Sequence, residues 1–277
     1  MQQSNSFPKK DDLFRLLQAL LARATQAPHH GSLPLFIAGH HCGFLFPGAI
    51  APIAGMAGVA VTTDRADFGR DLQPGQSLDS LLAEIANVLR RAGKTPGWRN
   101  ELLDVLPDGP DSRPIGAIER GVMRPLGLMT QAVHLSGWSQ DGKLWVARRS
   151  LTKATDPGMW DTLVGGLVSA GEPIDLALER EADEEAGLDA ADIATRSPLR
   201  TIARMKRQIP EGYQYEEVLT CECVLTNGTA PENRDGEVME IDRFAPTRIY
   251  EMLLAGDFTL EASIVLTEDL WRRAPHA

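Results

Sequence analysis

The chain is poor in several features that would point to particular classes of protein. Only three of its 277 residues are cysteines, an odd number without framework spacing, which argues against a disulfide scaffold and favours a reducing compartment. The chain has 28 basic and 38 acidic residues. The resulting formal net charge of −10 argues against nonspecific binding to nucleic acid or an anionic membrane. The six histidines show no metal-ligand spacing. We therefore expect an acidic cytoplasmic protein with no nucleic-acid or membrane partner.

Targeting and membrane segments are also expected to be absent. The first 24 residues mix acidic side chains with helical apolar spacing and lack the apolar core of a secretory signal peptide. The uncharged run at 42–63 is long enough to span a bilayer, but it contains Pro47, Pro52 and four glycines. Buried strands and turns are the better interpretation of that run.

What is present favours a globular protein with two parts. With 43% hydrophobic residues the chain can bury a substantial core, and a proline-rich loop at 107–114 interrupts the pattern. We expect a smaller N-terminal α+β domain over 1–120 and a second domain over 121–277. Apolar spacing predicts helices at 11–24, 78–92, 118–125, 247–254 and 266–273. Alternation predicts short strands within 35–50 and longer ones at 132–138, 143–150, 199–207 and 213–225. Strands flanked by helices indicate an α/β fold.

The segment at 166–188, GLVSAGEPIDLALEREADEEAGL, is the most informative part of the chain. It follows a strand-like run and contains a glycine loop, Pro173 at the start of a predicted helix and Gly187 just past its end. Within that helix the glutamate triad (Glu181, Glu184 and Glu185) has the spacing i, i+3, i+4 and shares one face with the apolar residues. We therefore predict that all three carboxylates face the body of the protein.

Inward-facing carboxylates are costly unless a cation neutralises them. A ligand set made only of oxygen suits a hard divalent ion such as Mg²⁺ or Mn²⁺. The segment thus predicts a metal site of that kind.

The same segment resembles the Nudix box, G-x5-E-x7-R-E-U-x-E-E-x-G-U, where U is aliphatic. The matching positions are Gly166, Glu172, Arg180, Glu181, Ala182, Glu184, Glu185, Gly187 and Leu188. The resemblance implies an α/β/α sandwich with a mixed sheet, and hydrolysis of a small organic diphosphate with Mg²⁺ or Mn²⁺. The chemistry is reasonable, because bound metal ions neutralise phosphate oxygens and lower the pKa of water.

Carried over position by position, the resemblance assigns roles to the box residues. The glutamate triad would bind the metals, and one of its members or another glutamate would help deprotonate water. Glu172 would act through the metals or through Arg180, and the carbonyl of Gly166 would complete the metal shell. Arg180, part of the predicted catalytic set, would lock the loop to the helix by a charge-assisted bond.

The residues before the box supply candidates for substrate binding. Arg148 and Lys153 would bind the diphosphate, and Trp160 would stack on a ring of the substrate. Alternation sends Arg148 and Arg149 to opposite faces of their strand, so both are not expected to reach one ligand. The alternatives are solvated charges at a strand end and a tryptophan in the core.

A further carboxylate beyond the box is expected to join the metals or act as a base. The candidates are Glu216, Glu217 and Glu237. We favour Glu237, because its loop leads into a strand and could reach over the site. His134, in a predicted strand, is interpreted as a core or edge residue.

Segments outside the box narrow the resemblance to a subgroup. FIAGHHCGFLFP and GWRNELLDVL resemble the thiamine pyrophosphokinase-associated Nudix proteins, which have an extra N-terminal domain. That resemblance implies thiamine diphosphate, or its damaged analogues, as substrate. An isopentenyl diphosphate isomerase and a non-catalytic metabolite sensor are the alternatives, and a homodimer is possible. No cysteine lies between Cys42 and Cys221, which argues against the isomerase.

Overall fold

A computed structural model describes residues 7–72, 75–109, 112–153 and 155–275. Its helices are α1 (Lys10–Arg23), α2 (Pro47–Ile53), α3 (Leu78–Arg91), α4 (Met123–Leu126), α5 (Ile174–Ala186), α6 (Pro246–Ala255) and α7 (Leu260–Arg273). The strands in the first half are β1 (Leu33–Ile37), β2 (His40–Leu45), β3 (Val59–Val61), β4 (Ala66–Phe68), β5 (Leu102–Asp104) and β6 (Ala117–Glu119). Those in the second half are β7 (Met129–Ser139), β8 (Leu144–Arg149), β9 (Trp160–Thr162), β10 (Val164–Leu167), β11 (Arg200–Ile209), β12 (Gly212–Leu225) and β13 (Val238–Phe244).

The N-terminal part is built on a four-stranded sheet in the order β2-β1-β4-β3. Helix α3 covers it with an apolar stripe that includes Leu81, Ile85 and Leu89, all buried. Ser77 and Ser80 form a capping box at the start of this helix, which satisfies its first free N–H groups. The result is an α+β unit with a core of its own.

The second part is built on a seven-stranded mixed sheet. Strands β11-β12-β7-β8-β13 form its main path, with β10 paired to β7 and β9 to β8. Strands β12 and β7 run parallel, from Tyr215 opposite Met129 to Leu225 opposite Ser139, whereas the other pairs are antiparallel. The parallel pair lies at the centre and is buried along nearly its whole length.

Helices cover both faces of this sheet. Ala177, Leu178 and Ala182 of α5 pack in one buried cluster with Val133 and Leu135 of β7. On the other face, α6 and α7 contribute to a cluster that contains strand residues such as Trp138 and Val146. The predicted α/β/α sandwich with a mixed sheet is therefore confirmed.

Helix α1 precedes the N-terminal sheet along the chain but packs elsewhere. Leu13 is fully buried in the cluster formed by α6, α7 and the large sheet, and Leu17 and Leu20 belong to a neighbouring cluster with Met205 and Ile264. Its apolar face thus covers α7.

Two short segments differ from their predicted form. Residues 118–125 were predicted as one helix, but β6 pairs with β5 there, and a 3₁₀ turn and the four-residue α4 follow. The strand region within 35–50 ends early, because Pro47 starts α2. Within the described ranges, no helix is long and apolar enough to cross a membrane.

Candidate active site

The site begins where β10 leads through a glycine loop into α5. Strand β10 pairs with β7 at the centre of the sheet, which fixes the position of Gly165 and Gly166. Pro173 is the residue just before the helix rather than its first residue, and Gly187 ends the helix with φ 63°. That left-handed conformation favours glycine, so the helix stops where the sequence predicts.

Arg180 ties the loop to the helix. Its Nε and Nη2 donate to the two carboxylate oxygens of Glu172, both at 2.9 Å, and Nη2 also donates to the carbonyl oxygen of Leu167 at 3.1 Å. The bond from Arg180 holds the pKa of Glu172 below its usual value. The arginine and Glu172 are thus in the locking contact expected from the sequence.

Glu181 points back at Gly166. A Cβ atom on Gly166 would lie 1.9 Å from the carboxyl carbon of Glu181, so only glycine leaves room for this carboxylate. The side chain of Glu181 is 14% exposed and accepts a bond from Arg180 Nη1 at 2.6 Å. Burial raises its pKa, and the nearby Glu184 acts in the same direction.

Glu185 is the most deeply buried member of the triad. Its Oε2 accepts a hydrogen bond from the backbone N–H of Gly165 at 2.9 Å, and Lys153 Nζ lies 3.6 Å from its Oε1. Burial raises the pKa of Glu185 to about 8, although Lys153 opposes the shift. A cation at this position therefore stabilises the ionised carboxylate.

Glu184 differs from the expectation. Its side chain is 47% exposed and contacts Arg180 at 3.4 Å. The predicted inward orientation is therefore correct for Glu181 and Glu185 and wrong for Glu184. The three glutamates span a wide arc of the helix surface, and Glu184 lies at its solvent-exposed edge.

The loop before β13 closes the site from the other side. The half-exposed Glu237 forms an ion pair with Lys153, which lowers its pKa although partial burial opposes the shift. Carboxylate oxygens of Glu185, Asp235 and Glu237 all lie within 4.8 Å of one another. Glu237 was the favoured further carboxylate, whereas Asp235 was not singled out, because nothing in its spacing distinguishes it from other loop acids.

The two arginines of β8 point in different directions, as alternation predicts. Arg149 donates to Asp161 at 2.9 Å and lines the cavity beside the carboxylates. Arg148 pairs instead with the exposed Glu240 at 3.4 Å and lies over the ring of Trp160. Trp160 packs against Phe244 in the cluster beneath α7. Neither Arg148 nor Trp160 lines the cavity, so Arg149 takes the place expected for Arg148.

A cavity of about 610 Å³ connects these groups. Beside Lys153 and Arg149, its cationic residues are Arg99, Arg120 and Arg124, which precede the large sheet along the chain. The positive charge of Arg120 favours the ionised form of both Glu181 and Glu237: it opposes the raised pKa of Glu181 and adds to the lowering at Glu237. The N-terminal part thus reaches the carboxylates.

The cavity lining also includes polar and acidic residues that are not among the proposed ligands. They are Glu216, Gln214 and Glu261, together with the buried His134. Burial lowers the pKa of His134, so its ring is neutral at physiological pH. Glu217, the third candidate carboxylate, bonds to Gln131 and Arg204 and does not line the cavity.

The cysteines take no part in the cavity. Cys42, Cys221 and Cys223 are free and buried. Burial raises the pKa of Cys42 and of Cys221 to about 12, which keeps both as unreactive thiols.

The donor set is compatible with a hard divalent cation. The buried groups are carboxylates, two of them have raised pKa values, and Gly166 leaves space for Glu181 rather than for a side chain of its own. Lys153 and Arg180 neutralise these groups in the present arrangement. The proposed ligands are all oxygen atoms, without sulfur or imidazole nitrogen. Such a ligand set suits Mg²⁺ or Mn²⁺.

Comparison with known proteins identifies the family. Residues 131–262 match the model of the NUDIX domain, which covers β7 to the start of α7. The chain therefore contains a NUDIX domain over these residues, which confirms the predicted family.

Several curated relatives are named as Nudix hydrolases. The chain is 31% identical over 206 residues to "Nudix hydrolase 20, chloroplastic" of Arabidopsis thaliana, covering 73% of this chain and 54% of that protein. It is 32% identical over 132 residues to an isopentenyl-diphosphate Delta-isomerase of Klebsiella pneumoniae, covering 46% of this chain and 68% of that one. Among solved structures, DR0079 from Deinococcus radiodurans aligns with a TM-score of 0.44 and 23% identity, covering 64% of this chain and 100% of that one. The chain spans about half the length of the first curated relatives it matches.

Proposed function

We propose that this protein is a metal-dependent hydrolase of organic diphosphates. The observation that carries the proposal is the pairing, in one cavity, of buried carboxylates with a cationic rim. Carboxylates that need cations would bind divalent ions, and arginines and a lysine would bind phosphate oxygens. Nudix hydrolases act on small diphosphate-containing molecules, so family and site agree.

The metal ligands in this proposal are the glutamate triad, the Gly166 carbonyl and Glu237, with Glu172 in support through Arg180. When bound, Mg²⁺ or Mn²⁺ would neutralise phosphate oxygens and make water more acidic. In this proposal one member of the triad, or another glutamate of the site, would accept the proton of the attacking water. Glu184, at the solvent edge, would assist from the rim.

The cations of the cavity would orient the substrate. Lys153 reaches Glu185 and Glu237, so it lies beside the carboxylates and would contact the phosphate nearest to them. Arg149 is held by Asp161 and by the carbonyl of Thr155, which leaves its guanidinium fixed for a second phosphate oxygen. Because each is anchored by a partner, little side-chain entropy would be lost on binding.

We further propose a role for the N-terminal unit in substrate choice. The division near residue 120 separates it from the Nudix domain, with α1 returning to pack on α7. Arg99 and Arg120 line the cavity and act favourably on Glu237, so both would contribute to binding of a diphosphate. A Nudix domain without this unit would lack part of the cationic rim.

Thiamine diphosphate, or a damaged analogue, is our specific substrate proposal. It rests on the resemblance of the N-terminal segments to the thiamine pyrophosphokinase-associated subgroup. The product would be the monophosphate.

The test is release of the organic monophosphate products, measured by chromatography with Mg²⁺ and with Mn²⁺, from a panel of diphosphates. The panel contains thiamine diphosphate, oxythiamine diphosphate, ADP-ribose, NADH, a dinucleoside polyphosphate and isopentenyl diphosphate, with Glu185→Gln as the blank. We expect metal-dependent release that is fastest on the thiamine compounds and at least about 100-fold slower in the variant.

The other outcomes separate the parts of the proposal. Activity restricted to nucleotide compounds would retain the hydrolase and remove the thiamine assignment. Conversion of isopentenyl diphosphate to its isomer would favour the isomerase. Tight binding of a panel compound that is recovered intact after long incubation with Mg²⁺ would favour a sensor.

A further inference from the structure

A second cavity adjoins the first. It has a volume of about 280 Å³ and lies between the N-terminal unit and the large sheet, with Leu103, Met123, Leu128 and Tyr213 among its lining residues. Arg120, Arg124, Gln214 and Glu216 line both cavities. The two spaces therefore adjoin each other, and a ligand whose phosphates lie near the carboxylate site could extend into the second.

The residues shared by the two cavities carry charges of opposite sign. Arg120 and Arg124 are cationic, whereas Glu216 is a carboxylate that Gln214 links to Glu261. Gln214 Nε2 lies 3.3 Å from Glu216 Oε1 and 2.8 Å from Glu261 Oε1. The two arginines would attract a diphosphate, whereas the carboxylate would repel it.

Glu216 has only neutral hydrogen-bond partners. Its Oε2 accepts from Thr130 Oγ1 at 2.9 Å and its Oε1 from Gln214, and it forms no ion pair with any residue in the described ranges. Arg124 acts on it favourably but donates its own bonds to Glu211 and Thr155. The side chain is 8% exposed.

Neutral hydrogen-bond donors alone do not offset the cost of burying the negative charge of Glu216. Burial and the nearby Glu261 raise the pKa of Glu216 to about 7. Retaining such a group is costly unless something supplies a positive charge or strong hydrogen-bond donors. The open side of Glu216 faces the cavities, so a ligand can supply what the chain does not.

We infer that the second cavity binds the organic part of the substrate, and that this part carries a positive charge directed at Glu216. The inference rests on the proposed diphosphate hydrolysis and specifies its substrate class. Apolar and aromatic walls suit a compact organic group, and the arginines shared by the two cavities suit its phosphates. Glu216 is thereby a specificity-determining residue rather than a metal ligand.

The experiment uses two ligands of the same shape and different charge. They are the 2-(trimethylammonio)ethyl and 3,3-dimethylbutyl esters of methylenebisphosphonate, which differ by nitrogen for carbon and contain no P–O–P bond to hydrolyse. Their dissociation constants are measured by titration calorimetry with Mg²⁺. Wild-type protein should bind the cationic ester at least about tenfold more tightly.

The variants assign that preference to one side chain. Glu216→Gln keeps the shape and the hydrogen-bonding capacity, and should reduce the preference to within about twofold by weakening only the cationic ester. Glu217→Gln is the matched control, because the neighbouring carboxylate on β12 bonds outside the cavity, and it should retain the full preference. Thermal melting checks that both variants fold.

Failure of the inference is distinguishable from failure of the proposed function. Equal binding of the two esters by the wild type, or an unchanged preference in Glu216→Gln, would overturn the inference. Hydrolysis is measured separately on the corresponding esters of diphosphate. A charge preference without any hydrolysis would support the cation site and remove the proposed activity.

Discussion

At the scale of single residues, Gly166 is where the proposed site has least room. We expect Gly166→Ala to displace the carboxyl group of Glu181, because the new Cβ would lie 1.9 Å from its carboxyl carbon. A shift of about 1 Å in a catalytic group can lower the rate by roughly 100-fold. The measurement is kcat/KM for Mg²⁺-dependent phosphate release.

Gly228→Ala is the control for that substitution. No atom lies within 4 Å of the corresponding Cβ position, and the backbone there does not adopt a left-handed conformation. It should leave kcat/KM within about twofold. Equal rates for the two variants would show that the position of Glu181 is unimportant.

The sequence predicted the site residues that one helix brings together, but not those that come from other parts of the chain. Helical spacing defines Glu181 and Glu185 relative to one another, and both are buried as predicted. Asp235 lies in a loop, and Arg120 lies in a segment far from α5 along the chain. Because no sequence period relates these residues to the helix, their presence in the site could not be predicted. The exposure of Glu184 depends on the rim of the cavity, which only the tertiary structure defines.

At the scale of elements, Arg180 connects the glycine loop to α5. Arg180→Lys removes the two-pronged contact with Glu172 and the bond to the Leu167 carbonyl. We expect the free energy of unfolding to fall by about 1–3 kcal/mol, the usual range for losing a hydrogen bond to a charged group. Urea denaturation measures this.

The comparison variant is Arg248→Lys. That arginine forms an exposed pair with Glu251 within α6, and its loss should change the free energy of unfolding by less than about 0.5 kcal/mol. If Arg180→Lys were equally mild, the loop would be held by its backbone rather than by the arginine.

Helix α1 provides a second prediction at this scale. Leu13 is fully buried among residues of α6, α7 and the large sheet. We expect Leu13→Ala to lower the free energy of unfolding by about 2–5 kcal/mol, because the cavity adds to the lost burial. Leu254→Ala, on the exposed face of α6, should have little effect. A small loss for Leu13→Ala would mean that α1 detaches easily from α7.

Most elements were predictable because their apolar periods are strong. The spacing of α3, α5 and the long strands β7 and β12 matches the structure within a few residues. The packing of α1 was not predictable, since an amphipathic helix specifies which face is buried and not which partner covers it. The segment at 118–125 failed because pairing with β5 overrides its helical spacing.

At the scale of the whole molecule, α7 is attached to the central strands by a buried polar group. The Asp269 carboxylate accepts a bond from Trp138 Nε1 at 2.8 Å, and Arg273 contacts both Asp269 and Glu222. Burial, and its hydrogen bond with Glu222, raise the pKa of Asp269 to about 7. This attachment makes the stability of the entire domain depend on pH.

The sign follows from proton binding. Between the pKa of an unfolded aspartate, about 4, and the raised native value, the folded protein holds a proton that the unfolded chain has released. The contribution of Asp269 to the stability of the folded protein is therefore fully present below pH 4 and is lost as the pH rises toward 7.

Asp269→Asn removes this dependence while keeping an acceptor for Trp138. Relative to wild type, the variant should gain roughly 1–3 kcal/mol between pH 4 and pH 8. Melting curves of both proteins across that range measure the gain, and a constant difference at every pH would show that Asp269 is ionised in the folded state throughout.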